Sequence, residues 1–285
     1  MSLLVRDLVK MGEIQLNKVG IESAKYEAEY IYCHMKNYSR SKFLLMWAKA
    51  VDELVVEKYL GLIEKRTTRV PLQHITGETE FMDGIFTVRP NVLIPRFETE
   101  SVCLEGEKLL KPKSTVLDLC CGSGVIGISL AMRNNIKLTL SDYSNDAVEL
   151  TKENLERNGV KGEVVKGDLF GGVSNKKFNM IISNPPYIRT DIIPTLQVEV
   201  REYDPISALD GGEDGLDFYR RIIDEAPEYL KKEGVLVLEI GHDQGEDVSA
   251  IMINNGSYEN IRVTKDLAGL DRVVTGNLIK KGMFR

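Results

Sequence analysis

Histidine and cysteine are scarce in this chain, and that scarcity is the first constraint on what it does. Three histidines (His34, His74, His242) and four cysteines (Cys33, Cys103, Cys120, Cys121) occur in 285 residues. None falls in the spacings used by disulfide frameworks or zinc sites, so neither a stapled fold nor a metal centre is expected. Free thiols fit a reducing cytoplasm. Also missing is any apolar run near the roughly 20 residues a membrane-spanning helix needs. The first apolar segment, residues 1–10, carries Arg6, Asp7 and Lys10. It reads as an amphipathic helix and not as a signal peptide. An excess of positive charge is absent too. The net charge is −6, which argues against a nucleic-acid polyanion as the main partner. The charge is uneven, with 12 Lys+Arg against 9 Asp+Glu in residues 1–75 and 25 against 34 beyond them. Solvated helix faces are enough to explain that difference.

What remains is an ordinary globular composition, long enough for one or two domains. Residues 1–75 carry helical periodicity. Ala24, Ala28, Ile31 and Met35 form one stripe, and Val51, Leu54, Val55, Tyr59 and Leu62 form a second. The spacing predicts a small helical bundle ending near Arg69-Val70-Pro71. Residues 76–95 change character, with Asp83-Gly84 between β-rich flanks predicting a hairpin that connects the bundle to the rest. From residue 96 to 285 strands and helices alternate. Strands are expected at 115–120, 137–142, 163–167, 178–183, 234–240, 260–264 and 272–278, with helices such as 145–158 and 215–230 between them. Such alternation is the grammar of a doubly wound α/β sheet, which binds ligands beyond the carboxyl ends of its strands.

The first of those strand ends runs into Cys120-Cys121-Gly122-Ser123-Gly124, and Gly122-x-Gly124-x-x-Gly127 matches a dinucleotide fingerprint. Asp142 closes the next strand, where its carboxylate can take two ribose hydroxyls. The glycine pattern alone does not decide between a nicotinamide dinucleotide and another adenosine ligand. Two features favour S-adenosylmethionine. Asp118 stands just before the turn, where it would lie near the amino-acid end of that ligand. Asp168 and Leu169 close the third strand, where a carboxylate and an apolar side chain would meet an adenine.

The fourth strand stops at Asn184-Pro185-Pro186-Tyr187. Two prolines end a strand because they fix φ and remove two backbone donors. A plain turn needs neither the Asn nor the Tyr. Together the Asn184 oxygen, the Pro185 carbonyl and the Tyr187 ring suit a planar NH₂ on an sp² carbon, with two acceptors for two hydrogens and a flat face to stack on. Such a nitrogen is a poor nucleophile because its lone pair is delocalised. Acceptors on both N–H bonds, with a methyl donor in line, favour pyramidalisation and free that pair.

On these residues the chain resembles the release-factor glutamine methyltransferases, the PrmC/HemK family, over nearly its whole length. The carrying segments are Pro71–Gly77, Asn91–Glu100, Asp118–Gly124, Ser183–Ile188, Ala208–Leu216, Leu238–Gly241 and Lys265–Gly269. The resemblance implies a Rossmann-like, seven-stranded class I methyltransferase domain with a small N-terminal helical domain that helps recognise the substrate. It implies transfer of a methyl group from S-adenosyl-L-methionine, leaving S-adenosyl-L-homocysteine, to the Gln of the Gly-Gly-Gln motif in class 1 peptide chain release factors. Residues 120–124, Asp142, Leu169 and Asn184 would contact the methyl donor, and Asn184–Tyr187 would hold the glutamine. A cytoplasmic monomer with no nucleic-acid substrate is expected.

Two residues depart from the family pattern. Cys120 stands where Gly is usual and narrows the space for the methionine part, and Phe97 stands where Pro is usual. A DNA adenine methyltransferase uses the same corner, but it needs a sizeable recognition domain and a basic cleft. An enzyme acting on a ribosomal-protein glutamine is a closer rival. A nicotinamide-dependent oxidoreductase, or an adaptor that merely binds the cofactor, leaves the corner at 184–187 unexplained.

Overall fold

A computed structural model describes residues 3–279. Met1 and Ser2 of the expected N-terminal helix, and residues 280–285 of the expected last domain, lie outside the described residues. The chain divides into two compact units, one ending at Glu78 and the other starting at Thr79.

The first unit holds α1 (Val5–Lys18), α2 (Ala24–Lys36), α3 (Arg40–Met46), α4 (Glu53–Thr67) and α5 (Leu72–Thr76). Their ends follow from short polar side chains. Ser39 Oγ accepts from Lys42 N at 3.2 Å, and Asp52 Oδ1 accepts from Val55 N at 2.9 Å, each replacing a hydrogen bond the helix cannot make for itself. Asn37 ends α2 in the left-handed conformation. Ala24, Ala28 and Ile31 of the first stripe are buried, with Leu8, Leu16, Tyr32, Phe43, Tyr59 and Ile63. The second stripe is displaced from the expected one, because Leu54 is 59% exposed. Leu54 precedes Tyr59 by five residues, which places it about 140° round the helix. The buried face continues instead through Tyr59, Ile63 and Arg66. Arg66 remains inside because Glu27 pairs with it at 2.5 Å.

A hairpin of β1 (Glu78–Phe81) and β2 (Gly84–Thr87) begins at the last residue of the first unit and opens the second. Its turn is Met82-Asp83, one residue earlier than the sequence predicts, with Met82 at φ 50°. Gly84 already belongs to the strand and is needed for space, since a Cβ there would lie 2.7 Å from the Phe86 ring.

Seven further strands make one sheet: β3 (Thr115–Leu119), β4 (Lys137–Asp142), β5 (Gly162–Lys166), β6 (Phe178–Ser183), β7 (Leu230–Glu239), β8 (Tyr258–Lys265) and β9 (Asp271–Leu278). Their order is β5-β4-β3-β6-β7-β9-β8, parallel except for β9, which runs antiparallel to both neighbours. Around it lie α6 (Glu100–Leu109), α7 (Val125–Arg133), α8 (Asn145–Arg157), α9 (Val198–Arg201), α10 (Asp217–Tyr229) and α11 (Gly245–Asn255). The central strands are buried on both faces and largely apolar, with Asp118 of β3 a buried charged exception. Leu117, Leu119, Ile181, Leu236 and Leu238 enter one core, while Val116, Met180, Ile182, Val235 and Val237 enter the other. That is the alternation a pleated strand imposes.

β7 begins four residues before the expected strand. Leu230 pairs with Phe178, yet Val235 pairs with Met180, so Lys231–Gly234 form a bulge with Glu233 at φ 61°. A local excess of this kind carries no periodic signal. Among the described residues no helix is long and apolar enough to cross a membrane.

Candidate active site

Strand order reverses at β3, which has β4 on one side and β6 on the other. The carboxyl ends of β3 and β6 therefore border one crevice, and a cavity of ≈ 630 Å³ opens there. That size suits a cofactor-sized ligand.

The turn after β3 forms one wall. Gly122 and Gly124 have φ 55° and 82°, conformations that glycine adopts at little steric cost. Gly124 also has no room for a Cβ, which would lie 2.9 Å from Ile128 Cδ1. Cys120 takes φ 57° as well, which explains why a glycine suits that position better. Two side chains of α8 hold the turn from behind. Thr151 Oγ1 donates to Gly122 O at 2.8 Å, and Asn154 Nδ2 donates to Ser123 O at 2.9 Å. Burial pushes the Cys120 and Cys121 thiols up, so both are neutral at physiological pH.

Asp142 closes β4. Its Oδ2 accepts from Gly122 N at 2.8 Å and its Oδ1 accepts from Ser144 N at 2.9 Å. The carboxylate has more acceptor sites than these bonds use, which leaves capacity for a ligand hydroxyl. Burial raises the Asp142 carboxyl above its ordinary range, while hydrogen bonds from Ser144, Gly122 and Tyr143 oppose the rise. Beyond β5, Asp168 receives a hydrogen bond from Arg221 Nη2 at 2.7 Å, and Leu169 is buried with φ 47°.

The sequence-predicted residues divide into two groups. Cys120, Cys121, Gly122, Ser123, Asp142, Asp168, Leu169, Asn184 and Pro186 all line the cavity. Asp118, Gly124, Pro185 and Tyr187 are not among its lining residues. Asp118 is fully buried under the turn, where Oδ2 accepts from Gly127 N at 2.8 Å and Oδ1 has no hydrogen-bond partner among the described residues. Its location ties β3 to the first turn of α7 and keeps it out of the cavity. Burial raises its carboxyl to about 7 despite the bond from Gly127. Phe97 is 68% exposed, so it does not pack as a core side chain.

At the corner after β6, the Asn184 amide donates through Nδ2 to Thr99 Oγ1 at 3.4 Å. Its oxygen is the end left for a ligand. Tyr187 turns its hydroxyl away toward Glu239 Oε1, 3.5 Å distant. The Tyr187 carbonyl accepts from Gln244 Nε2 at 3.0 Å. Ile188 bridges Asp210 in parallel, with its N–H donating to Leu209 O at 2.9 Å.

Sequence reasoning assigned no role to Thr99, Arg221, Glu239 or Gln244. Thr99 and Glu239 left a signal, each lying in a segment that carries the family resemblance, and Glu239 also as an acid ending the apolar run Val235–Leu238 on the strand beside the corner.

Comparison with known proteins agrees with this architecture. Residues 7–77 match the PrmC N-terminal domain and residues 102–198 match the methyltransferase small domain. The release factor glutamine methyltransferase of Geobacter sulfurreducens is 38% identical over 275 residues, covering 96% of each chain. That of Clostridium botulinum is 37% identical, covering 95% of this chain and 98% of the other. In fold, a methyltransferase of Pyrococcus furiosus is similar with a TM-score of 0.52 at 19% identity, covering 67% of this chain and 87% of that one. With such identity sustained from end to end, and with the strand-end glycine turn and Asn-Pro-Pro-Tyr corner meeting at one crevice, the chain belongs to the release factor glutamine methyltransferase family.

Proposed function

We propose that this chain transfers a methyl group from S-adenosyl-L-methionine to the side-chain amide nitrogen of the Gly-Gly-Gln glutamine in class 1 peptide chain release factors. One observation carries the reading. An amide acceptor, Asn184, borders the same cavity as Asp142, so a planar NH₂ held at one is within reach of an adenosine ligand held at the other.

The residues present fit that cofactor. Asp142 offers a carboxylate with remaining acceptor capacity at the strand end where a ribose is taken. Cys120–Ser123 give close backbone approach, with neutral thiols that add no charge to compete with the ligand's own. Leu169 adds an apolar wall. When bound, the cofactor supplies an electrophilic methyl on a sulfonium with a neutral thioether leaving group.

The chain's residues then do the positioning. Asn184 Oδ1 and the Pro185 carbonyl accept the two hydrogens of the glutamine amide, drawing the nitrogen out of conjugation. No strong base is required, because the proton leaves to water after transfer. Pro186 and Tyr187 hold the acceptors rigid, so the geometry exists before the substrate arrives. Residues 1–75 are assigned to recognising the folded release factor. Removing them is expected to raise KM for the intact factor more than for a free Gly-Gly-Gln peptide.

The deciding assay offers labelled methyl donor with a release factor, with its Gln→Ala version, and with duplex DNA. Label on the first alone is expected. Label on DNA, or equal label on the Ala version, overturns the reading.

A further inference from the structure

A Gly-Gly-Gln motif offers an enzyme little to hold. Its glycines have no side chains, and its one side chain is taken up by the corner at 184–187. Affinity for a whole release factor must come from the surface around the cavity.

That surface is apolar. Among the described residues of the second unit, the five most exposed large apolar side chains are Leu267, Phe97, Tyr143, Ile206 and Ile253. Four of them stand at the end of the sheet where the cavity opens. Tyr143 and Ile206 line the cavity, and Phe97 lies between two lining residues, Arg96 and Thr99, while itself 68% exposed. Leu267 lies in the turn from β8 to β9. Val273, near the start of the antiparallel β9, pairs with Glu239, so this turn projects beside the carboxyl end of β7. Ile253 alone stands elsewhere, near the end of α11 that leads to the start of β8. Exposed apolar residues scattered singly are ordinary, but four gathered at one opening mark a contact surface.

We propose that Phe97, Ile206 and Leu267 form an apolar docking rim for the folded release-factor domain that carries the Gly-Gly-Gln motif. The inference rests on the reaction proposed above.

Continuity with the cavity identifies the occupant. Asn184 and Ile206 line the same cavity, so a protein that presents a glutamine at Asn184 lies across its mouth. A second copy of this chain seated there would close the mouth to substrate.

Leu267 carries the rim beyond the reach of a short peptide. β7 and β9 lie between β6 and β8, which puts the turn about 10–15 Å to the side of the strand that ends at Asn184. A Gly-Gly-Gln loop fills the cavity, and only the folded domain around it extends to Leu267.

The turn is built before any partner arrives. Asp266 Oδ1 accepts from Ala268 N at 2.9 Å and from Leu270 N at 3.0 Å, while Asp266 N donates to Leu270 O at 2.8 Å. Asp266 Oδ2 accepts from Arg272 Nε at 3.2 Å, and the buried Arg272 donates through Nη1 to Ile240 O at 3.2 Å. Leu267 is left 86% exposed on a frame tied to the end of β7. An anchor on a fixed frame loses little conformational freedom when a partner covers it. Phe97 adds an aromatic ring, a group enriched at such contacts.

Methyl transfer to an intact release factor and to a free Gly-Gly-Gln peptide is measured first with the wild-type protein. No label on either substrate overturns the functional reading and the rim with it. Given a labelled wild type, Leu267→Asp is expected to raise KM for the intact factor about tenfold. Its kcat and its KM for the peptide should change less than about twofold. Leu267→Met keeps an apolar side chain and is expected to stay within about threefold of wild type. Phe97→Ser is expected to raise KM for the intact factor about tenfold as well. Both side chains are exposed, so melting temperatures equal to wild type confirm that the fold is kept. An unchanged KM for the intact factor in Leu267→Asp or Phe97→Ser, or equal rises for factor and peptide in Leu267→Asp, would sink the rim alone. So would a wild-type dimer, seen by light scattering, that Leu267→Asp converts to monomer, since the rim would then serve a second copy.

Discussion

Gly122 and Asp142 are joined across two strand ends, the Gly122 N–H donating to Asp142 Oδ2 at 2.8 Å. The carboxylate proposed to take the ribose therefore also fixes the glycine turn. For Asp142→Ala we expect a cofactor Kd roughly 10–100-fold weaker, the scale of one or two charged hydrogen bonds. Equilibrium dialysis or calorimetry measures it, and a wild-type Kd refutes the assignment. Because burial raises the Asp142 carboxyl, affinity is expected to fall as acidification protonates it. Asp142→Asn should lack that dependence.

On the proposed reading, Asn184→Ala removes one acceptor from the reacting nitrogen and leaves Asp142, the residue proposed for the ribose, in place. Its kcat is expected to drop about 10²–10³-fold, as when one preorganised electrostatic partner is deleted. Cofactor Kd should change by less than about threefold, since only one of the cavity's contacts is lost. Single-turnover rates at saturating cofactor test this, and an unchanged rate removes Asn184 from the chemistry.

Asp118 makes a stability prediction with a definite sign. Its carboxyl is raised to about 7 in the folded protein, against about 3.9 in an unfolded chain. The unfolded state loses the proton first, so wild-type stability declines as pH rises from about 4 to about 7. Asp118→Asn has no such loss. The melting temperature of the Asn variant relative to wild type is expected to increase between pH 5 and pH 8, by an amount on the order of 1–4 kcal/mol in stability. A difference that stays constant or shrinks with pH contradicts the burial of an ionisable group there.

Cys120→Gly relieves a left-handed residue at φ 57° and widens the wall of the cavity. The strain of such a residue is about 1–2 kcal/mol, partly offset by the greater freedom of glycine in the unfolded chain. A gain of up to about 1 kcal/mol is expected, together with tighter cofactor binding. Denaturant titration and a Kd measurement check the two parts separately. Loss of stability would mean that packing of the Cys120 side chain outweighs its strain.

What the sequence revealed is what the backbone period encodes. Buried strands read as apolar runs at 115–120, 137–142 and 178–183, and the glycines and double proline marked where two of them stop. Leu54 misled because an apolar residue beside a true stripe looks like part of it until the helix phase is known. The Met82-Asp83 turn was displaced by a glycine kept for space beside Phe86. Within the site, Asp142 and Asn184 were legible because each ends a strand at the crevice. The partners that orient them were not. Thr99 lies 85 residues from Asn184 and Glu239 lies 52 from Tyr187, and only the parallel pairing of β6 with β7 brings the second pair together.

That pairing divides one strand into two regimes of tolerance. Residues 231–234 bulge out of register between the Phe178–Leu230 and Met180–Val235 pairs, so a residue gained or lost there is taken up by the bulge. From Val235 onward the ladder is continuous to Leu238. A single insertion in that stretch would move Glu239 to the opposite face of the sheet, among the neighbours of Leu236 and Leu238. Sequence length should therefore drift freely on one side of Val235 across relatives and be held constant on the other, where the ladder keeps Glu239 beside Tyr187.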